Sequence, residues 1–100
     1  MSNINEDLDD AINRASLVEV KKLIEDGADL EYRDSFGCTP LLNAAWVAAS
    51  DVVEYLLAEG ADCYAKNKEG KTALDMARSV GHDDYGHFEV VGLLEKHMGV

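Results

Sequence analysis

Apolar positions in this chain return at helical spacing in short runs. Val52, Val53, Leu56 and Leu57 mark one face of a helix, and Val20, Leu23 and Ile24 mark another. Between such runs lie brief polar stretches, Asp34-Ser-Phe-Gly37 and Asn67-Lys-Glu-Gly70. Each opens on Asp or Asn and closes on a glycine free to take positive φ, so both are predicted as turns. Thr39 before Pro40 predicts an N-cap with proline in the first helical turn. Ser16-Leu-Val-Glu19 has capping-box spacing for another helix. Gly27 and Gly60 are placed to end the helices before them.

The pattern is periodic. "EDGAD" at 25–29 returns as "AEGAD" at 58–62, and "GCTPL" at 37–41 as "GKTAL" at 70–74, both at an offset of 33. Val20 falls over Val53 at the same offset. Several matches at one offset mark a repeat architecture. "GHFEVVGLL" at 86–94 matches the second-helix opening at an offset of 38, so five residues, Gly81 to Tyr85, read as an insertion between the helices of the last unit.

The motif "DSFGCTPLLNAAW…DVVEYLLAEGAD" resembles the ankyrin repeat: a turn, then Thr-Pro-Leu and two alanines on a first helix, Val-Val and leucines on a second, and Gly-Ala-Asp at the end. The likeness covers nearly the whole chain. It implies an all-α fold, a stack of three helix-turn-helix units with short β-turn or hairpin fingers. The units are 1–33 as an N-terminal cap whose first helix starts near Asn5, 34–66, and 67–100 with the insertion 81–85. Leu42 and Asp75 stand where the family usually has His, which removes the usual source of hydrogen bonds between neighbouring turns.

The resemblance also implies a mode of action: a repeat stack presents a concave surface and its fingertips to a protein partner. Carried over by position, the tips are Tyr32, Arg33, Ser35, Phe36 and Cys38, then Lys66, Lys68, Glu69 and Lys71. The first-helix positions are Asn13 and Arg14, Trp46 and Val47, and Ser79 and Val80. Ala44 and Ala45 are expected to be small where neighbouring helices approach. Trp46 comes next round the helix, and its counterparts 33 away, Asn13 and Ser79, are polar. It is therefore expected half-exposed in the groove, with Phe36 and Tyr32 nearby, as an anchor for a partner; the alternative is that it lies flat and fills space. Asp9, Asp10, Asn43 and Asp75 are expected to rim this aromatic centre. The insertion is expected to be a neutral lengthening of the loop; the alternative is that Tyr85, with His82 and His87, forms a second contact patch.

Charge sharpens the kind of partner. The net charge is −11, spread as −5, −4 and −2 over residues 1–33, 34–66 and 67–100. Such a surface repels nucleic acid and anionic lipid and favours a basic partner. The acidic N-terminus is no export signal, which argues for the cytoplasm and for Cys38 and Cys63 as free thiols. No apolar run is long enough to span a membrane.

The chain has no glycine-rich phosphate loop, no G-x-S-x-G and no HExxH. Adjacent acids, Asp9 with Asp10 and Asp83 with Asp84, point about 100° apart on a helix and make no dyad by themselves. His82, Asp83, Asp84 and His87 could ligate a metal only if the insertion folded back. The reading is a non-catalytic protein-binding module without cofactor, monomeric when free, and, since it opens at Met1, an independent adaptor or inhibitor. Two alternatives stand beside it: an acidic immunity or inhibitor protein that neutralises a basic enzyme or toxin, and a self-associating scaffold joined through the last helix at Val91 and Leu94.

Overall fold

The computed structural model describes residues 3–79 and 85–99, the side chains of residues 79 and 85–88 excepted. Its helices come in three pairs. These are α1 (Ile4–Asn13) with α2 (Leu17–Glu25), α3 (Pro40–Trp46) with α4 (Ser50–Ala58), and α5 (Ala73–Ser79) with α6 (Tyr85–Met98). The described residues form no strand, so the fingers are turns. Within each pair the two helices pack against each other. Between pairs α1, α3 and α5 form one row, and α2, α4 and α6 another.

Small side chains set the spacing of the first row. Ala11, Ala44, Ala45 and Ala77 are buried there, beside Leu8, Ile12, Leu41 and Leu42. The second row supplies the larger fill: Val20, then Val52, Val53, Leu56 and Leu57, then Val90 and Leu94. All belong to one continuous core. Truncating a fully buried leucine in such a core, Leu56→Ala for instance, costs about 2–5 kcal/mol.

Helix ends follow the sequence in most places. The Asn3 carboxamide accepts a hydrogen bond from the Asn5 backbone N–H at 2.8 Å and starts α1. Thr39 Oγ1 accepts from the Leu42 N–H, with Pro40 in the first turn of α3. Gly27 and Gly60 sit at φ 106° and 94° and end α2 and α4. The capping box at Ser16 does not form: the Ser16 side chain makes no cap bond, the Ser16 N–H donates to the Ala11 carbonyl at 3.0 Å, and the Glu19 carboxylate is taken by Arg14. Two alanines, Ala15 and Ala48, lie in the left-handed region at φ 55° and 60°, at the same place in successive units. Tyr85, expected to close the insertion, is the first residue of α6; residues 80–84 lie outside the described residues.

Neighbouring units are laced without the family's histidines. Leu42 is buried as plain core. Within the first unit the Asp29 N–H donates to Asn5 Oδ1 at 2.7 Å; between the first and second units the Asp62 N–H donates to Glu31 Oε2 at 2.9 Å. Arg33 Nη1 donates to the Gly37 carbonyl at 2.8 Å and to the Lys66 carbonyl at 2.7 Å. The Lys68 N–H donates to the Phe36 carbonyl at 3.1 Å, joining one finger to the next.

Candidate concave site

The first-row helices and the two fingers enclose an open hollow of ≈ 490 Å³. Trp46, at the end of α3, and Phe36, at the first fingertip, both line it. They are 50 % and 72 % exposed, large for apolar rings of this size. Trp46 is thus turned to solvent, as its polar counterparts Asn13 and Ser79 lead one to expect.

The first finger is held by Asp34. Its Oδ1 accepts from the Phe36 N–H at 2.9 Å and the Cys38 N–H at 3.0 Å. The backbone closes beneath, Gly37 N–H to the Asp34 carbonyl at 2.9 Å and Asp34 N–H to the Cys38 carbonyl at 3.1 Å. One carboxylate oxygen therefore builds the turn, and the other faces the groove. There Asn43 Nδ2 donates to Asp34 Oδ2 at 3.1 Å and to Asp9 Oδ1 at 2.7 Å. The bridge spans α1, the finger and α3. Asn43 is neutral, so it ties two carboxylates together without cancelling their charge. Burial, then the repulsion of Asp34, raises the Asp9 carboxyl above the usual range, and the Asn43 hydrogen bond opposes the rise.

The second finger repeats the design with an amide. Asn67 Oδ1 accepts from the Glu69 N–H at 2.9 Å and the Lys71 N–H at 3.0 Å. Its Nδ2 meets sulfur instead of acid, Cys38 Sγ at 3.7 Å and Met76 Sδ at 3.8 Å. Glu69 and Lys71 stand on this wall. The hollow is lined by three carboxylates, Asp9, Asp34 and Glu69, and one amine, Lys71.

Of the residues expected to meet a partner, Ser35, Phe36, Cys38, Trp46, Glu69 and Lys71 come together here, with Asn13. Cys38 differs in one respect: it is only 5 % exposed and forms floor, not tip, because the turn folds its side chain beneath the finger. Burial raises its thiol above the usual range. Both cysteines are free and buried. Tyr32, Arg33, Val47 and Lys68 are outside the lining. Tyr32 and Val47 are half-buried, and Arg33 spends itself on the two carbonyls that join the fingers. Arg14, expected beside Asn13, is held by Asp10 and Glu19 in an exposed ion-pair cluster. Asp75 caps its own helix, accepting from the Thr72 N–H at 3.1 Å. Val80 lies outside the described residues, as do the side chains of Ser79 and Tyr85 and the metal-ligand set at His82, Asp83, Asp84 and His87. In sequence Asp34 and Asn67 read only as turn openers, and Met76 carries no signal that places it in the groove. The signal for the first two was their identical place at an offset of 33 with an acid in one and an amide in the other.

Stacked helix pairs with an open groove define a solenoid-type repeat fold. The family model described as ankyrin repeats (many copies) matches residues 23–77. The chain belongs to the ankyrin repeat family, whose members generally mediate protein–protein interaction and are typically non-catalytic. Similar proteins include ankyrin repeat domain-containing protein 37 of Bos taurus, 38% identical over 65% of this chain and 41% of that protein. Protein phosphatase 1 regulatory subunit 27 of Homo sapiens is 38% identical over 69% of this chain and 45% of its own length. The 2-5A-dependent ribonuclease of Mus musculus is 38% identical over 67% of this chain and 9% of that protein. The chain thus spans less than half the length of each of these relatives. Among the described residues no helix is long and apolar enough to cross a membrane.

Proposed function

We propose that this chain is a non-catalytic module that binds a protein partner through its concave face, centred on Trp46 and Phe36, and that the partner presents a basic, partly apolar surface. The observation that carries this is the pairing of two exposed aromatic rings with three carboxylates in a single hollow. Aromatic anchors supply contact area at small entropic cost, and the surrounding charge selects and steers a basic surface. The net charge of −11 extends that steering beyond the groove.

The test is affinity capture from lysate of the source cells, with wild type, Trp46→Ala and Val18→Ser run side by side at low and high salt. Val18 is 80 % exposed on α2, in the other row of helices, and serves as the control. A partner held by wild type and Val18→Ser, and lost with Trp46→Ala, is the expected result. Equal capture by all three would remove the groove from the account.

The inhibitor reading is the sharper form of the same proposal, and the acidic charge favours it. It calls for a basic enzyme whose association is fast and collapses with salt. The scaffold reading has less support, because Leu94 is fully buried and Val91 half-buried, leaving the described part of α6 little apolar surface at those positions.

A further inference from the structure

The hollows of this molecule differ in how their charge is settled. One beside α1 and α2 carries four acids, yet Arg14 already sits between Asp10 and Glu19, and Lys22 lies alongside. One between α4 and α6 balances Glu54 with Lys96. In the concave hollow the two linked carboxylates, Asp9 and Asp34, are joined only through a neutral amide. Asn43 Nδ2 has two protons and gives one to each. Asp9 Oδ2 accepts no hydrogen bond among the described residues. The lining's one amine, Lys71, is on the opposite finger, beside Glu69.

Resting on the concave-face reading, we propose that the hollow receives an arginine side chain from an extended segment of the partner, its guanidinium lying between the Asp9–Asn43–Asp34 bridge and the rings of Trp46 and Phe36. A single cation there meets the charge that the described residues leave uncompensated. The guanidinium suits it better than an ammonium on three counts. It is planar and carries five donors in a fixed fork, which matches carboxylates held a hydrogen bond apart on either side of one amide nitrogen. Its faces stack on indole and phenyl rings while its edge makes the hydrogen bonds. It is also the more weakly hydrated cation, so entering a half-enclosed, partly apolar hollow costs it less. The receiving groups are fixed beforehand. Asp34 is pinned by two backbone N–H groups and Asn43, and Asp9 by Asn43, so little ordering remains to be done on binding. The raised Asp9 carboxyl agrees with this: the groove holds a charge that the fold alone disfavours.

The probe is a phage library of short random peptides, selected at low salt on the immobilised whole chain. Enriched peptides are synthesised and titrated by fluorescence of Trp46, the chain's single tryptophan. The expected peptides carry an arginine whose replacement by citrulline, of the same shape without the charge, weakens binding about tenfold or more, with lysine intermediate. Asp9→Asn, which keeps the Asn43 hydrogen bond, weakens them similarly while its thermal melt remains cooperative. Peptides that depend on Trp46 and ignore both citrulline and Asp9→Asn would overturn the arginine and leave the groove standing. Equal binding of lysine and arginine peptides would overturn the guanidinium. Enrichment of no Trp46-dependent peptide would count against the groove itself.

Discussion

The two fingers, 34–38 and 67–71, have the same skeleton. In each, a side-chain oxygen at the first position accepts from the N–H groups two and four residues on, and the backbone closes the turn below. They differ in the other atom of that head group. Asp34 turns a charged oxygen to Asn43 and, through it, to Asp9; Asn67 turns an amide to the sulfurs of Cys38 and Met76. The turn needs one acceptor, so the second atom is left to decide what the wall of the groove is made of. One wall becomes acidic and the other soft and neutral, on an unchanged backbone.

The comparison breaks most visibly at the glycines. Gly37 and Gly70 share φ near 76°, where any other residue is strained. A Cβ at Gly37 would also meet Lys68, at 2.9 Å from its Cγ and 3.0 Å from its backbone nitrogen, whereas at Gly70 nothing lies within 4 Å. Gly37→Ala must push the fingers apart and is expected to cost about 3 kcal/mol, with Gly70→Ala near 1 kcal/mol. Thermal melts of both would read this as a shift of about 15 °C against about 5 °C. Equal shifts would mean that the fingers do not support one another.

Next in size is the head group itself. Asp34→Ala leaves two N–H groups without their acceptor, one of them partly buried, and is expected to cost about 2 kcal/mol in denaturant unfolding. Asp34→Asn keeps the turn oxygen, as Asn67 does. It loses the Asn43 hydrogen bond but relieves the repulsion of Asp9, leaving a net change under about 1 kcal/mol. Its affinity for a basic partner should fall all the same, which separates the turn from the wall.

Smaller still is the effect of Asp9. Its carboxyl is raised by burial first and by Asp34 second, so the ionised form is disfavoured in the folded state. The stability lost to this charge is absent below the carboxyl's unfolded pKa and grows as pH rises through the raised folded value. Asp9→Asn is therefore expected to melt higher at neutral pH, by about 0.5 kcal/mol after discounting for solvent screening, and to match wild type in acid. The same melts at several pH values check the sign. Least of all, Ala48→Gly relieves the left-handed strain at φ 60° and loses most of the gain to a freer unfolded chain, for a net stabilisation of about 0.2 kcal/mol.

Much of the scaffold was legible because its signals are local. The 33-residue offset, Thr39-Pro40, the turn glycines and the paired alanines each act within a few residues of themselves. Trp46 was legible too, since Asn13 and Ser79 mark its position as one that tolerates water. Three features were not. The Asp9–Asn43–Asp34 bridge joins residues far apart in sequence, and only the stacking of α1 on α3 brings them together. The two halves of the Ser16 capping box went elsewhere, the Ser16 N–H to Ala11 and the Glu19 carboxylate to Arg14, both outside the motif. Ala15 and Ala48 give no sign of positive φ, because the position is imposed by helix pairing and alanine merely endures it. The groove's aromatic centre, and Asp9 and Asn43 on its rim, were thus readable from periodicity; Asp10 and Asp75 fall outside the lining, and the link through Asp34 required the tertiary structure.

The account rests on an accessible tryptophan in a groove of negative charge that a basic partner covers. Quenching of Trp46 fluorescence by caesium and by iodide, on the free protein and on its captured complex, tests this directly. In the free protein caesium should quench more strongly relative to iodide than it does with free tryptophan amide, and the partner should protect Trp46 from both. Iodide quenching as effective as with the free amide, or quenching unchanged by the bound partner, would contradict it.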